Sequence, residues 1–124
     1  MLPELKAGIK GKAELTVSEK DTARIYGSGM VDVFATPAMI ALMEKAAHTS
    51  VEKYLPEGYL TVGNEVNIKH IKATKQGKKV WAESELILVE GKKLTFNIEA
   101  SDEDGKIGFG EHTRYIVVEK DFLV

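Results

Sequence analysis

Thr36-Pro37-Ala38-Met39-Ile40-Ala41-Leu42-Met43-Glu44-Lys45-Ala46-Ala47-His48-Thr49-Ser50-Val51-Glu52-Lys53 is the one helical pattern in a chain that otherwise reads as strands. From Pro37 to about Lys53 there is no glycine, and Ala, Met, Leu, Glu and Lys, all good helix formers, dominate. The pattern predicts a helix of about four to five turns. Thr36-Pro37 marks its start, because threonine is a good N-cap and a proline at the first helical position lacks only an N–H that would be unpaired anyway. Tyr54-Leu55-Pro56-Glu57-Gly58 marks its end, where the proline forbids continuation and the glycine permits a turn. Ala38 to Met43 is apolar on every side, and such a segment has to be enclosed nearly all round.

Beyond the helix the period changes to two, as in strands that bury one face. Val66, Ile68 and His70 alternate with Asn67, Lys69 and Ile71; Val80, Ala82, Ser84, Leu86 and Leu88 alternate with Trp81, Glu83, Glu85, Ile87 and Val89; Leu94, Phe96, Ile98 and Ala100 follow. Breaks at Lys75-Gln76-Gly77-Lys78, Glu90-Gly91 and Asp102-Glu103-Asp104-Gly105 carry hairpin turn signals, so the strands read as an antiparallel meander. A last strand runs from about Lys106 to Val118, and an early one lies around Gly11 to Val17. The expected class is α+β: one long central helix wrapped by a curled antiparallel sheet of five to six strands. A sheet covers one side of the apolar helix, and the simplest cover for the other side is a second copy of the chain. A hot-dog fold satisfies this pattern, as does a cystatin-like or other one-helix α+β roll.

With 124 residues, 44% of them hydrophobic, the chain can build one continuous core, and no repeat or linker divides it. Residues 1–124 therefore read as a single domain. There is no cysteine, which excludes disulfides and thiolate metal sites and leaves nothing pointing to an oxidising compartment. Met1 to Gly11 lacks the apolar core of a signal peptide, and no apolar stretch approaches the roughly 20 residues that span a bilayer. The expectation is a cytoplasmic protein with no membrane partner. A formal charge of −2 offers no general attraction for nucleic acid.

Glu44 is the anomaly on the helix. Its neighbours within roughly 60° on the wheel are Pro37, Ile40, Ala41, Ala47, His48 and Val51, and a carboxylate on so apolar a stripe is costly unless paired, exposed or functional. A plain i,i+4 pair with His48, or a stripe at the solvent rim, explains it equally well. Thr36 alone reads as a cap. His70 shares parity with Val66 and Ile68 and faces inward, where a histidine is more often a hydrogen-bonded core residue than a catalyst. Gly63 marks a bulge, a close backbone approach or a simple loop. Arg114 reads as a solvated strand residue. His48 and His112 have no third ligand at recognisable spacing and suggest no metal site. Lys69, Lys72, Lys75, Lys78 and Lys79 cluster around one connection, as a solubilising edge or as a contact for phosphates.

Together these residues resemble the fluoroacetyl-CoA thioesterase family of hot-dog proteins over about residues 30 to 120. The resemblance is carried by Val33-Phe34-Ala35-Thr36, Leu42-Met43-Glu44-Lys45-Ala46, Tyr54-Leu55-Pro56-Glu57-Gly58, Gly63, His70, Val89-Glu90-Gly91-Lys92-Lys93-Leu94 and Gly110-Glu111-His112-Thr113-Arg114. It implies an acyl-CoA thioesterase with Thr36, Glu44 and His70 as the catalytic set and Gly63 and Arg114 in the same site. It also implies that Met30 stands where the fluoroacetyl-specific relative has an aromatic gate.

Eight helical residues (44 − 36) rise about 12 Å, so Thr36 and Glu44 can hardly touch within one chain. If both serve one thioester, the site lies between subunits of a homodimer or higher oligomer. The amides of Ala38 and Met39 are candidate helix-start donors to the thioester oxygen. His70 is the candidate general base, and Glu44 could orient it, activate water or attack directly. No metal or redox cofactor is expected; CoA enters as part of the substrate. A hot-dog dehydratase or hydratase, or a non-catalytic acyl-CoA or small-ligand binding module, are the alternatives. β-Elimination has no need of the Thr36 hydroxyl.

Overall fold

The computed structural model describes residues 2–123. Strand β1 (Lys10–Thr16) is followed by a short 3-10 turn (Glu19–Asp21) and helix α1 (Ala23–Tyr26), then by the long helix α2 (Thr36–Glu52). Strands β2 (Tyr59–His70), β3 (Lys79–Glu90), β4 (Lys93–Asp102) and β5 (Gly105–Val118) complete the sheet, and helix α3 (Glu119–Phe122) ends the described chain. The five strands lie in the order β1-β3-β4-β5-β2, all antiparallel. This is the α+β roll expected of the pattern, with α2 lying on the concave face of the sheet.

One connection departs from the meander. The turn at Gly77 does not join paired strands: β2 lies at one edge against β5, and β3 pairs with β1 near the other edge. Turn residues report a local reversal and not which strands meet afterwards, so 71–78 is a crossover. Parity also changes within β3. Val80, Ala82, Ser84 and Leu86 are buried, but a bulge between Leu86 and Leu88 turns Leu88 outward.

Helix α2 buries Ala38, Met39, Leu42, Met43, Ala46, Ala47 and Val51 against the sheet. They meet Val80, Ala82 and Leu86 of β3, Leu94, Phe96, Ile98 and Ala100 of β4, and Ile107 and Ile116 of β5 in one core. Met39, Met43, Leu86, Leu94 and Phe96 are essentially fully enclosed, and each such side chain contributes about 1.5–3 kcal/mol of burial. On the opposite side, the first half of the helix stays uncovered by the described residues: Thr36, Pro37 and Ala41 are exposed, and Ile40 and Glu44 are half-buried. Beside it β2 leaves one edge unpaired, with Val66 on it exposed.

Helix and sheet approach closely at Gly11. A Cβ there would fall on the Ala46 carbonyl oxygen and within 2.6 Å of the Ser50 Cβ, neither of which can yield without moving α2. Gly11→Ala is therefore expected to destabilise the protein by about 1–3 kcal/mol through overpacking, read as a lower denaturant midpoint at unchanged slope. An unaltered midpoint would show that β1 and α2 separate freely.

Candidate active site

The start of α2 departs from the expected cap. Ala35 is the N-cap and Thr36 is the first helical residue, with no side-chain capping bond. The Thr36 hydroxyl lies instead 2.8 Å from His70 Nδ1 at the end of β2. The hydroxyl is thus engaged with an imidazole and not with the helix backbone. The pair opens on a cleft of about 310 Å³ that Phe34, Ile71 and Lys72 also line.

Of the two amides expected to face a substrate, one is taken. Met39 N–H donates to the Ala35 carbonyl at 2.9 Å, and its side chain is enclosed in the core. The first intrahelical bond always falls to the fourth helical residue, which is Met39 once the helix begins at Thr36. Among the described residues the amides of Thr36 and Ala38 have no backbone acceptor, and Pro37 has no N–H to offer. They are the donors that the helix dipole makes available to a developing negative oxygen.

Burial holds His70 below the usual histidine pKa, against the opposing pull of the Lys72 backbone. Its ring is therefore neutral near pH 7, as a proton acceptor must be. Nε2 is buried and has no hydrogen-bond partner of good geometry among the described residues. Nδ1, facing Thr36, is thus the nitrogen placed to exchange a proton with the hydroxyl.

Glu44 lies elsewhere. Its Oε2 is 3.9 Å from Arg114 NH1 and 3.9 Å from His112 Nε2, both reaching from β5. Its side chain is about 40% exposed, so the carboxylate is open to a ligand as well as to these neighbours. The i,i+4 pair with His48 does not form; His48 Nδ1 meets Glu52 at 2.9 Å instead. Gly63 completes the group from β2. A Cβ at that position would stand 2.8 Å from Glu44 Oε2, 2.9 Å from His112 Cε1 and 3.2 Å from Arg114 NH1, so only glycine lets the strand pass this close.

Arg114 is no solvated strand residue. It is buried, and donates from Nε to Thr61 Oγ1 at 2.8 Å and from NH2 to the Thr61 carbonyl at 2.9 Å. Burial pulls its pKa down and Glu44 pushes it back up; as a guanidinium it stays charged.

Within the chain, then, the expected residues fall into two groups. Thr36, His70 and Ala38 form one; Glu44, Gly63 and Arg114 form the other. Met39 belongs to neither. Met30 is 81% exposed and is absent from the lining of the Thr36 cleft. Of the lysines, Lys72 is held by Asp102 at 3.3 Å and Lys79 by Glu14 at 3.4 Å. The residue that sequence reasoning passed over is His112, weighed only as a metal ligand. Its shared parity with Arg114 and Ile116 along β5 is the signal that would have placed it beside Arg114.

Residues 17–120 match the family model described as fluoroacetyl-CoA-specific thioesterase. The chain belongs to this family. A fluoroacetyl-CoA thioesterase from Streptantibioticus cattleyicolor is 36% identical over 86 residues, which span 69% of this chain and 62% of that protein. The match thus covers less than two thirds of that relative's length. Among solved structures, a variant of the fluoroacetyl-CoA thioesterase FlK in complex with acetyl-CoA superposes with a TM-score of 0.91 at 29% identity, covering 96% of this chain and 94% of that one. A thioesterase superfamily member from Thermus thermophilus superposes with a TM-score of 0.89 at 26% identity, covering 96% and 88%. The fold of the family is thus the hot-dog fold found here.

The two site histidines make stability depend on pH. Burial, the main cause, depresses both His70 and His112. The unfolded chain therefore binds protons near the ordinary value of about 6.5 while the native state resists them. Their contribution is fully present above that value and is lost as pH falls through the depressed native values. Urea midpoints measured from about pH 8 down to about pH 5 are expected to drop below about 6.5; midpoints that rise on acidification would contradict these environments.

Proposed function

We propose that the chain is an acyl-CoA thioesterase that hydrolyses a small acyl thioester to free acid and CoA, with each site shared between the two subunits of a homodimer. The observation that carries the reading is the 2.8 Å contact of Thr36 Oγ1 with His70 Nδ1 at the unpaired start of α2. A thioester carbonyl placed over this helix start would have its oxygen polarised by the Thr36 and Ala38 amides. His70 would accept the proton released as an oxygen nucleophile adds to the carbonyl carbon. Collapse of the tetrahedral adduct breaks the C–S bond and expels the CoA thiolate. A thiolate leaves readily, so the reaction calls for no metal or redox cofactor. The hydroxyl on His70 favours this chemistry over hydration, which has no use for it.

Glu44 supplies the other half. Its separation from Thr36, about 12 Å along α2, is too long for one thioester. In the proposed dimer the Glu44 of the second subunit approaches the acyl carbon, either orienting the water that His70 deprotonates or attacking itself to give an anhydride that a His70-activated water then hydrolyses to the free acid. The same assembly supports itself: the uncovered Pro37, Ile40 and Ala41 would be enclosed, and the free edge of β2 would find a strand to pair with. Light scattering is expected to return a dimer or a higher oligomer built from it. A stable, active monomer at micromolar concentration would overturn the shared site.

Thiol release on a panel of acyl-CoAs tests the activity directly. Glu44→Gln and His70→Ala are each expected to lower kcat by about 10² to 10⁴ while keeping the fold. Thr36→Ala removes no capping bond, so its melting temperature should stay close to the parent while kcat falls. Normal hydrolysis by Glu44→Gln and His70→Ala would dismiss the assignment.

Selectivity follows from the segment ahead of α2. Met30 is a flexible, exposed side chain, and Gly27 and Gly29 flank Ser28 beside it. We expect hydrolysis of ordinary short acyl-CoAs without strong preference for fluoroacetyl-CoA. After correction for the intrinsic reactivity of the fluorinated thioester, a remaining kcat/KM preference above about 10³, or about 4 kcal/mol, would contradict this.

A further inference from the structure

His112 is enclosed between β2, β4 and α2, about 1% exposed, with both ring nitrogens engaged. Nδ1 lies 2.8 Å from the Glu65 carbonyl oxygen and Nε2 lies 3.1 Å from Arg114 NH1. The donor inventory settles the protons. A carbonyl only accepts and a guanidinium only donates, so Nδ1 must carry the hydrogen and Nε2 must offer its lone pair. No other protonation state satisfies both contacts. A proton on Nε2 would set an N–H against an N–H, and a doubly protonated ring would add a second positive charge beside Arg114.

This neutral ring is the third anchor of a guanidinium that Thr61 already holds at Nε and NH2. NH1 would otherwise have only the half-exposed Glu44, at 3.9 Å, to fix it. The anchor is braced in turn. β2 bulges between Gly63 and Glu65, and the bulge presents the Glu65 carbonyl to Nδ1 while Thr113 Oγ1 donates to Asn64 Oδ1 at 2.6 Å. Phe96 stacks on the other side of the ring at 6.3 Å between centroids. The charged groups facing the imidazole are Glu44 on α2 and Arg114 on β5; β2 presents a backbone oxygen and β4 an apolar ring.

We propose that His112 is a positioning residue of the acyl site: locked as the neutral Nδ1–H tautomer by the β2 bulge, it accepts from Arg114 NH1 and thereby holds the guanidinium against Glu44 and Gly63. It acts through Arg114 and touches no reacting atom. This rests on the thioesterase reading for its catalytic consequence, though not for the tautomer. Its electrostatic environment agrees, since burial depresses its pKa foremost, Glu65 opposes, Arg114 depresses it further and Glu44 opposes.

Two substitutions separate the halves of the ring. In His112→Gln a side-chain oxygen can stand near the Nε2 position and accept from Arg114; in His112→Asn an amide N–H can replace Nδ1 toward Glu65 but nothing reaches Arg114. His112→Asn is expected to lower kcat/KM by about 10- to 100-fold, as for a misplaced site group, with His112→Gln recovering most of that loss even if both melt earlier. Equal losses in the two variants, tracking their melting temperatures, would reduce His112 to a packing residue. Imidazole ¹⁵N spectra of the unmutated protein give a readout independent of folding of the variants and of activity. The Nδ1–H pattern is expected at about pH 7; an Nε2–H or doubly protonated ring there would overturn the proposal. Absence of thiol release by the unmutated protein would instead overturn the thioesterase reading and leave the tautomer standing.

Discussion

A single helix cannot bury two opposite faces against one sheet, and the chemistry of this protein is organised by that limit. α2 spends its Ala38, Met39, Leu42, Met43, Ala46, Ala47 and Val51 face on the core. What remains outward between Thr36 and Glu44 is Thr36, Pro37, Ile40, Ala41 and Glu44, an apolar stripe with a hydroxyl at one end and a carboxylate at the other. The sheet face that anchors the helix thus decides which residues can meet a substrate. The rigidity of the helix keeps Thr36 and Glu44 about 12 Å apart. Each is then completed by a strand rather than by the other: Thr36 by His70 of β2, Glu44 by Arg114 and His112 of β5.

The second group is dominated by the cost of enclosing charge. Arg114 is buried, and its nearest carboxylate oxygen stands 3.9 Å away, beyond a direct hydrogen bond. Its N–H groups are satisfied by neutral acceptors, the Thr61 hydroxyl, the Thr61 carbonyl and the His112 ring. A buried guanidinium solvated in this way keeps its positive field without surrendering Glu44 to a tight ion pair. The carboxylate therefore stays partly open while its charge is balanced. Glycine at 63 is the steric condition for it, since any side chain there would displace Glu44 or Arg114.

Much of this was legible in the chain. The helix from Thr36, its stop before Pro56, and most of the alternation in β3, β4 and β5 follow from periodicity and turn residues, because burial acts on the same residues that carry the pattern. Strand order was not, since Gly77 marks a reversal without naming the strand that will be met, and β2 pairs with β5 across the sequence. Leu88 was misread because a bulge changes parity without leaving a glycine or proline as a sign. Glu44 stands out by residue type, and Thr36, His70, Gly63 and Arg114 by family resemblance alone; which of them meet does not follow from the chain. That the Thr36 hydroxyl leaves the cap for His70, that Met39 spends its amide on Ala35, and that His112 rather than His48 neighbours Glu44 are facts of three dimensions.

If a working site takes Thr36 and His70 from one subunit and Glu44 from another, as proposed, two chains altered in opposite halves restore each other on pairing. A Thr36→Ala/His70→Ala chain and a Glu44→Gln chain, each inactive alone, would be differently tagged, co-expressed, and their mixed dimer purified. Such a dimer contains one site with both halves intact and one with both altered. The account predicts thiol release returning to about half the parent dimer's rate, since intact sites act independently of distant altered ones. Purified mixed dimers as inactive as either altered parent would contradict it.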